Sequence, residues 1–301
     1  MKRYYDGDFS KKYQERNPDL KTIQPGQILS QLNLNGLALQ NTFIADNPAP
    51  LGEKDSLTAV NNGSQYSTYH KKYHPYFRDF LQRFGFYDIF LVDADGVVVY
   101  SVYKELDYAT SLKNGPYADS GLARAYKAAI TATDDNFYTI EDFTVYTPSY
   151  EDVAGFMATP IYENGTKIGA FIFQMPIEQI NKIMTFDAGW VKAGLGTSGE
   201  TYLVGPDMLA RSESRFFIQD KASYIKALKA SGEIDDKTAN LIDTRASTLG
   251  LKSIKTKGSK AAIAGEEGYG VFPNYRNVSV LSAYSPIDIA GLHWAILAEI
   301  N

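Results

Sequence analysis

The sequence predicts a mixed helix–strand protein built from two similar modules of roughly 110–130 residues, a common domain size. Three observations carry this. Apolar runs of strand length come in pairs around turn residues. Helical patterns separate those pairs. The whole layout then recurs: "FLVDADGVVVYS" is matched by "YLVGPDMLARS", with Leu91 and Leu203 112 residues apart. "FMATPIYENGTKIGAFIFQM" is matched by "LSAYSPIDIAGLHWAILAEI", with Pro160 and Pro286 126 residues apart.

Residues 1–26 are polar and aromatic, with Pro18 and Pro25 as breaks. From 27 to 44, Ile28, Leu32, Leu37 and Leu39 give a helical pattern despite Gly36. The Pro, Gly and Asp of "ADNPAPLGEKDS" predict a loop. Aromatics at 66, 69, 73, 77, 80 and 84 recur in steps of three and four, which places them on one helical face. Pro75 predicts a kink there and Gly85 a C-terminal cap. The period then changes to strands at "YDIFLV" and "VVVYSV" around the turn "DADG". "SGLARAYKAAITA" is a helix. Asn164-Gly165 supplies the two positive-φ positions of a hairpin turn between "GFMATPIY" and "KIGAFIFQM". "PIEQINKIM" connects to the second half, where "KASYIKALKASG" and "DDKTANLIDTRAS" are helical.

Composition narrows the function. Net charge is −5 with no block of like charges, so nothing marks a nucleic-acid surface. The absence of cysteine excludes disulfides, thiolate catalysis and cysteine-based zinc sites. No run of about 18 apolar residues predicts a membrane span. The 22 tyrosines suit pockets for small polar ligands, where the ring packs and the hydroxyl bonds.

Several motifs fall away on inspection. Gly194, Gly196 and Gly199 have the dinucleotide-binding spacing, but they precede a strand and open no helix, which predicts a tight turn. His70 and His74 have metal-binding spacing without a third ligand, which predicts surface or packing histidines and no metal. Asp93 and Asp95 begin like a calcium loop with no acid at the twelfth place, so they belong to a turn. No nucleophile elbow or phosphate loop is present, and no cofactor is expected.

The informative stretch is "VYKELDYATSLKNGPYADSGLA", where a loop would cross the first module's sheet. Lys104 among Tyr117 and Ser120, with Tyr146, Ser149 and Phe156 downstream, could hold a small anionic ligand. The plainer alternative is a solvated loop with Lys104 paired to Glu105 or Asp107.

In order, "FYDIFLVDADGVVVYSVYKELDYATSL", "GPYADSGLARAYKAA", "PIYENGTKIGAFIFQMPIEQINKIM", "GTSGETYLVGPDMLARSESRF" and "YSPIDIAGLHWAILAEI" resemble a double Cache domain. This is the tandem PAS-like extracytoplasmic sensor of bacterial chemoreceptors, sensor histidine kinases and cyclases. The resemblance covers roughly residues 27–301. It implies an α+β fold of two PAS-like modules, each a central antiparallel sheet flanked by helices, with a long N-terminal helix. The implied division is an N-terminal tail and helix over 1–45, a membrane-distal module over 46–180 and a membrane-proximal module over 181–301.

It further implies a non-enzymatic, periplasmic or extracellular ligand-sensing domain. Its parent would be a receptor anchored in the inner membrane, with a homodimer through the N-terminal helix. By position, the distal pocket would draw on Lys104, Tyr117, Ser120, Tyr146, Ser149, Phe156 and Gln174. The amino-acid-binding subgroup carries an Arg-x-Trp-Tyr run and an Asp at the end of the last distal strand. Here "GLARAYKAA" lacks the Trp and Gln174 stands in the Asp's place, so the expected ligand is not an α-amino acid. The alternatives are a hydrolase or oxidoreductase with an inter-module pocket, and a purely structural dimerisation module.

Overall fold

A computed structural model describes residues 1–20 and 24–301. Residues 21–23 of the N-terminal tail lie outside the described residues. The chain is α+β and divides into two compact units, Met1–Pro176 and Ile177–Asn301.

The first unit opens with helical turns that run into one another: α1 (Lys2–Tyr4), a π turn (Tyr5–Phe9) and α2 (Ser10–Arg16). Tyr5, Phe9 and Tyr13 recur every fourth residue and are buried, so this N-terminal helix seats an aromatic stripe on the unit. The pattern over 27–44 becomes two helices, α3 (Pro25–Ser30) and α4 (Leu34–Gln40), the latter followed by a π turn (Asn41–Ala45). The break has a local cause. The Asn33 side chain accepts from Gly36 N at 2.8 Å and caps α4, a bond available only if the chain leaves the helix at Asn33.

Helix α5 (Gln65–Phe84) is capped by Ser64 and ends at Gly85 in the left-handed region, φ 73°. It continues through Pro75. Its aromatics do not share one environment: Tyr66 and Phe77 pack inward, while Tyr69, Tyr73, Tyr76, Phe80 and Phe84 are exposed.

Five antiparallel strands follow: β1 (Ile89–Asp93), β2 (Val98–Ser101), β3 (Thr139–Tyr146), β4 (Asp152–Glu163) and β5 (Thr166–Gln174), in the order β2-β1-β5-β4-β3. The two-residue alternation decides the faces. Phe90, Val92 and Ile172 pack with α6 (Gly121–Thr131) and Phe156. Ile89, Leu91, Phe171 and Phe173 lie with Leu81 and Phe77 of α5. Asn164 and Gly165 have φ of 48° and 78°, the positive values that a type I′ hairpin requires.

The second unit begins with α7 (Ile177–Thr185). The glycine run forms turns, with positive φ at Gly194 and Gly196, and leads into β6 (Glu200–Val204). No helix opens behind it. The second strand expected at the end of "YLVGPDMLARS" is reduced to isolated bridges, Val204 to Ala210 and Leu209 to Ser253. Helices α8 (Arg215–Gln219), α9 (Lys221–Ala230), α10 (Asp236–Arg245) and α11 (Lys257–Ile263) follow. Strands β7 (Gly268–Pro273), β8 (Ser279–Ile289) and β9 (Leu292–Ile300) complete an antiparallel sheet in the order β6-β9-β8-β7. Its core centres on Tyr202, Val204, Tyr224, Ile242, Tyr275 and Leu297.

Candidate functional site

The first unit holds a cavity of about 210 Å³ beyond the end of β2. Its walls come from the N-terminal helix (Phe9, Lys12, Arg16), the 51–54 loop, residues 103–106, and the 148–152 connection between β3 and β4. Asp88, just before β1, shapes this region. Its Oδ1 accepts from the backbone N of Ile89 (2.7 Å), Val102 (2.8 Å) and Tyr103 (3.2 Å), which clasps the chain leaving β2 to the start of β1. That clasp brings Lys104 and Glu105 to the wall.

Lys104 is buried and adopts φ 59°. Its amine donates to the Ser101 carbonyl and lies 4.2 Å from the Tyr100 ring centre and 5.2 Å from that of Tyr108. Burial pushes its pKa down to about 7, against the pull of Asp88 and Asp55. The expected pairing with Glu105 or Asp107 is not formed. Glu105 instead accepts from Tyr87 and Ser149 hydroxyls, each at 3.2 Å. Asp107 accepts from the Tyr146 hydroxyl at 2.5 Å.

Three carboxyl groups therefore share one buried region. Burial raises all three pKa values: Asp88 to about 7, with help from the Asp107 charge; Asp107 to about 6, opposed by the Tyr146 bond; and Glu105 well above the usual range. Four buried polar atoms behind the wall have no hydrogen-bond partner among the described residues: Asp88 Oδ2, Asp107 Oδ1, Gln174 Oε1 and the Tyr117 hydroxyl. Native interiors rarely leave such groups bare, because each costs roughly 1–3 kcal/mol.

Of the seven residues singled out from sequence, Lys104 and Ser149 line the cavity. Gln174 Nε2 lies 3.5 Å from Ser149 Oγ, a long contact from behind the wall. Tyr146 and Tyr117 belong to the same buried polar group. Ser120 instead caps α6, accepting from Ala123 N at 3.2 Å. Phe156 fills the sheet core, 5.1 Å from the Tyr146 ring and 6.2 Å from that of Phe90. Sequence reasoning did not single out Asp88, Glu105 and Asp107 as site residues, nor the N-terminal helix as a wall. The one available signal was an acid set directly before the apolar run "IFLV".

The two helical histidines are packing groups. Their rings stack at 4.3 Å. His74 is bonded at both nitrogens, to the Tyr100 hydroxyl and the Asp55 carbonyl, each at 2.7 Å. Burial pushes their pKa values down to about 3 for His70 and about 4 for His74. No group of three potential metal-ligating side chains occurs among the described residues. No helix among them is long and apolar enough to cross a membrane.

No family model and no curated protein matches the chain. Solved structures do. The ligand-binding domain of the Pseudomonas aeruginosa PAO1 amino acid chemoreceptor PctC, in complex with GABA, is 14% identical over 100% of both chains, with a TM-score of 0.44. That of PctB from the same organism, in complex with L-Arg, is 15% identical over 99% of this chain and 87% of the other, with a TM-score of 0.43. The ligand-binding domain of the Pseudomonas fluorescens chemoreceptor CtaA, in complex with L-serine, is 15% identical over 99% of this chain and 96% of the other, with a TM-score of 0.40.

Proposed function

We propose that this chain is the extracytoplasmic ligand-sensing part of a membrane-anchored signalling receptor, without catalysis of its own. Residues 46–180 would form the membrane-distal, ligand-binding module and 181–301 the membrane-proximal one. The tail and helix over 1–45 would contribute to a homodimer. The observation that carries the reading is the polar cavity of the first unit, backed by buried atoms without partners. A structural module would gain nothing from holding such atoms bare. A hydrolase reading would rest on the Ser149 hydroxyl beside Glu105 at 3.2 Å, and burial there disfavours the charged carboxylate that would have to act as the base.

The charge of the site favours a donor-bearing, cationic ligand over the anion expected from Lys104. Three of the four cations on the wall already have partners, and the fourth, Lys12, is exposed. Lys104 donates to Ser101, Lys54 donates to the Asn47 and Ala49 carbonyls, and Arg16 pairs with Asp152. The acceptors are less fully used: Glu105 on the wall accepts only at 3.2 Å, from Tyr87 and Ser149, and Asp107, Asp88 and Gln174 each have a bare oxygen behind it. An ammonium group supplies up to three donors to such a set. We therefore assign the ligand class as small organic amines.

Thermal-shift and calorimetric titration with amines, amino acids and carboxylates tests this. A hundredfold excess of a true ligand over its dissociation constant adds about 2.7 kcal/mol of stability. Amine binding that is lost in Asp107→Asn is the expected result. Carboxylate binding that survives Asp107→Asn and is lost in Lys104→Met would reverse the ligand assignment. Turnover of any panel compound would overturn the sensor reading.

A further inference from the structure

The second unit contains a buried charge that the sensor reading does not use. Lys252 is 1% exposed, and among the described residues its amine has one hydrogen-bond acceptor, Glu233, at 2.9 Å. The two partners differ in setting. Lys252 also borders an inner cavity of about 10 Å³, between Tyr202, Ser214 and Tyr275, with room for about one water molecule. Glu233 is 36% exposed and follows Gly232, whose φ is 75°, in the turn after α9. Glu233 also lines an outer cleft of about 380 Å³, together with Lys255, Lys257 and Asn274.

A buried ammonium needs an anion, because leaving it unpaired in the interior costs several kcal/mol. Here that anion sits on a surface turn and is itself a wall of the cleft. The cleft and the ion behind it carry three lysines against one carboxylate. A second carboxylate entering the cleft can therefore take the place of Glu233 at Lys252 without leaving the ammonium bare. Lys255 and Lys257 are exposed on the cleft wall and would hold another negative end.

We infer that the second unit carries its own binding site for a small dicarboxylate, reached through this cleft and governed by exchange of Glu233 at Lys252. It is separate in residues and in ligand charge from the amine site of the first unit. Glu233 acts as an internal competitor, so the site's affinity is set by how readily that side chain yields.

The test is calorimetric titration of the full 301-residue chain with succinate. Saturable binding is expected in the native chain. Glu233→Gln keeps the shape of the side chain and removes its charge, and affinity should rise by about tenfold. Lys252→Gln should abolish binding. Should that variant not fold, the double variant Lys255→Gln/Lys257→Gln changes only exposed side chains and should weaken binding severalfold. Asp107→Asn, in the first unit, should leave succinate binding unchanged. The inference is overturned by no saturable binding in either the native chain or Glu233→Gln. It is equally overturned by unaltered affinity in the lysine variants, or by loss of binding in Asp107→Asn.

Discussion

Asp107 has one carboxylate oxygen held by Tyr146 and the other bare, inside a fully buried site. Burial raises its pKa from the ordinary 3.8 to about 6. The sign of the consequence follows. The folded chain favours the protonated acid, so this residue's contribution to stability is fully present below about pH 4. It is lost as pH rises through about 6. Asp107→Asn keeps an acceptor for Tyr146 and removes the charge. It should match the native chain near pH 4 and exceed it at pH 8, by up to roughly 3 kcal/mol at about 1.4 kcal/mol per unit. Denaturant titrations at the two pH values measure this, and a variant no more stable than the native chain at pH 8 would refute the buried charge. The same residue shows the limit of sequence. "KELDYAT" reads as a polar loop, and nothing in the spacing of its acids says that Asp107 is buried while Lys104 turns away from both carboxylates.

At the scale of elements, legibility followed periodicity. The strands around "IFLV" and "AFIF" alternate faces as their pattern requires, and Asn164-Gly165 locally fixes the hairpin of β4 and β5. The strand expected at the end of "YLVGPDMLARS" failed for a reason outside any period. Buried Arg211 folds back to Asp207 at 2.9 Å and to the Leu209 carbonyl at 3.2 Å, which spends the segment on a closed turn. The polar residues of 1–26 hid the helical run over 2–16, whose stripe of Tyr5, Phe9 and Tyr13 packs with Phe43, Leu106 and Tyr108 and reaches the 148–152 connection. There Phe9 stacks on Tyr150 at 5.2 Å, and Arg16 pairs with Asp152. Phe9→Ala should cost roughly 3–5 kcal/mol in that contact. Amide exchange should then rise across residues 2–16 while the five-stranded sheet stays protected. Equal loss of protection in helix and sheet would mean that the helix is part of the sheet's cooperative unit rather than a separately seated wall.

At the scale of the molecule, the repeat in the sequence became two compact units with separate cores, one around Phe90 and Ile172 and one around Tyr202 and Leu297. What the repeat did not reveal is that both interiors bury ionisable groups, set differently at the two proposed sites. At the first site Asp88 and Asp107 are buried behind half-buried Glu105, and at the second buried Lys252 meets the surface acid Glu233. The amine proposed for the first site and the dicarboxylate proposed for the second should therefore act on different units. Each unit is large enough to fold around its own core, so scanning calorimetry of the native chain should resolve two unfolding transitions. Phe156→Ala, a core truncation confined to the first unit, should lower one of them by several degrees and so identify it. A bound amine should raise that same transition and leave the other in place. An amine that instead raised the transition untouched by Phe156→Ala would move the amine site out of the first unit. A single transition shifted by both treatments would show that the two cores unfold together, and the site would then have to be located by the Asp107→Asn titration alone.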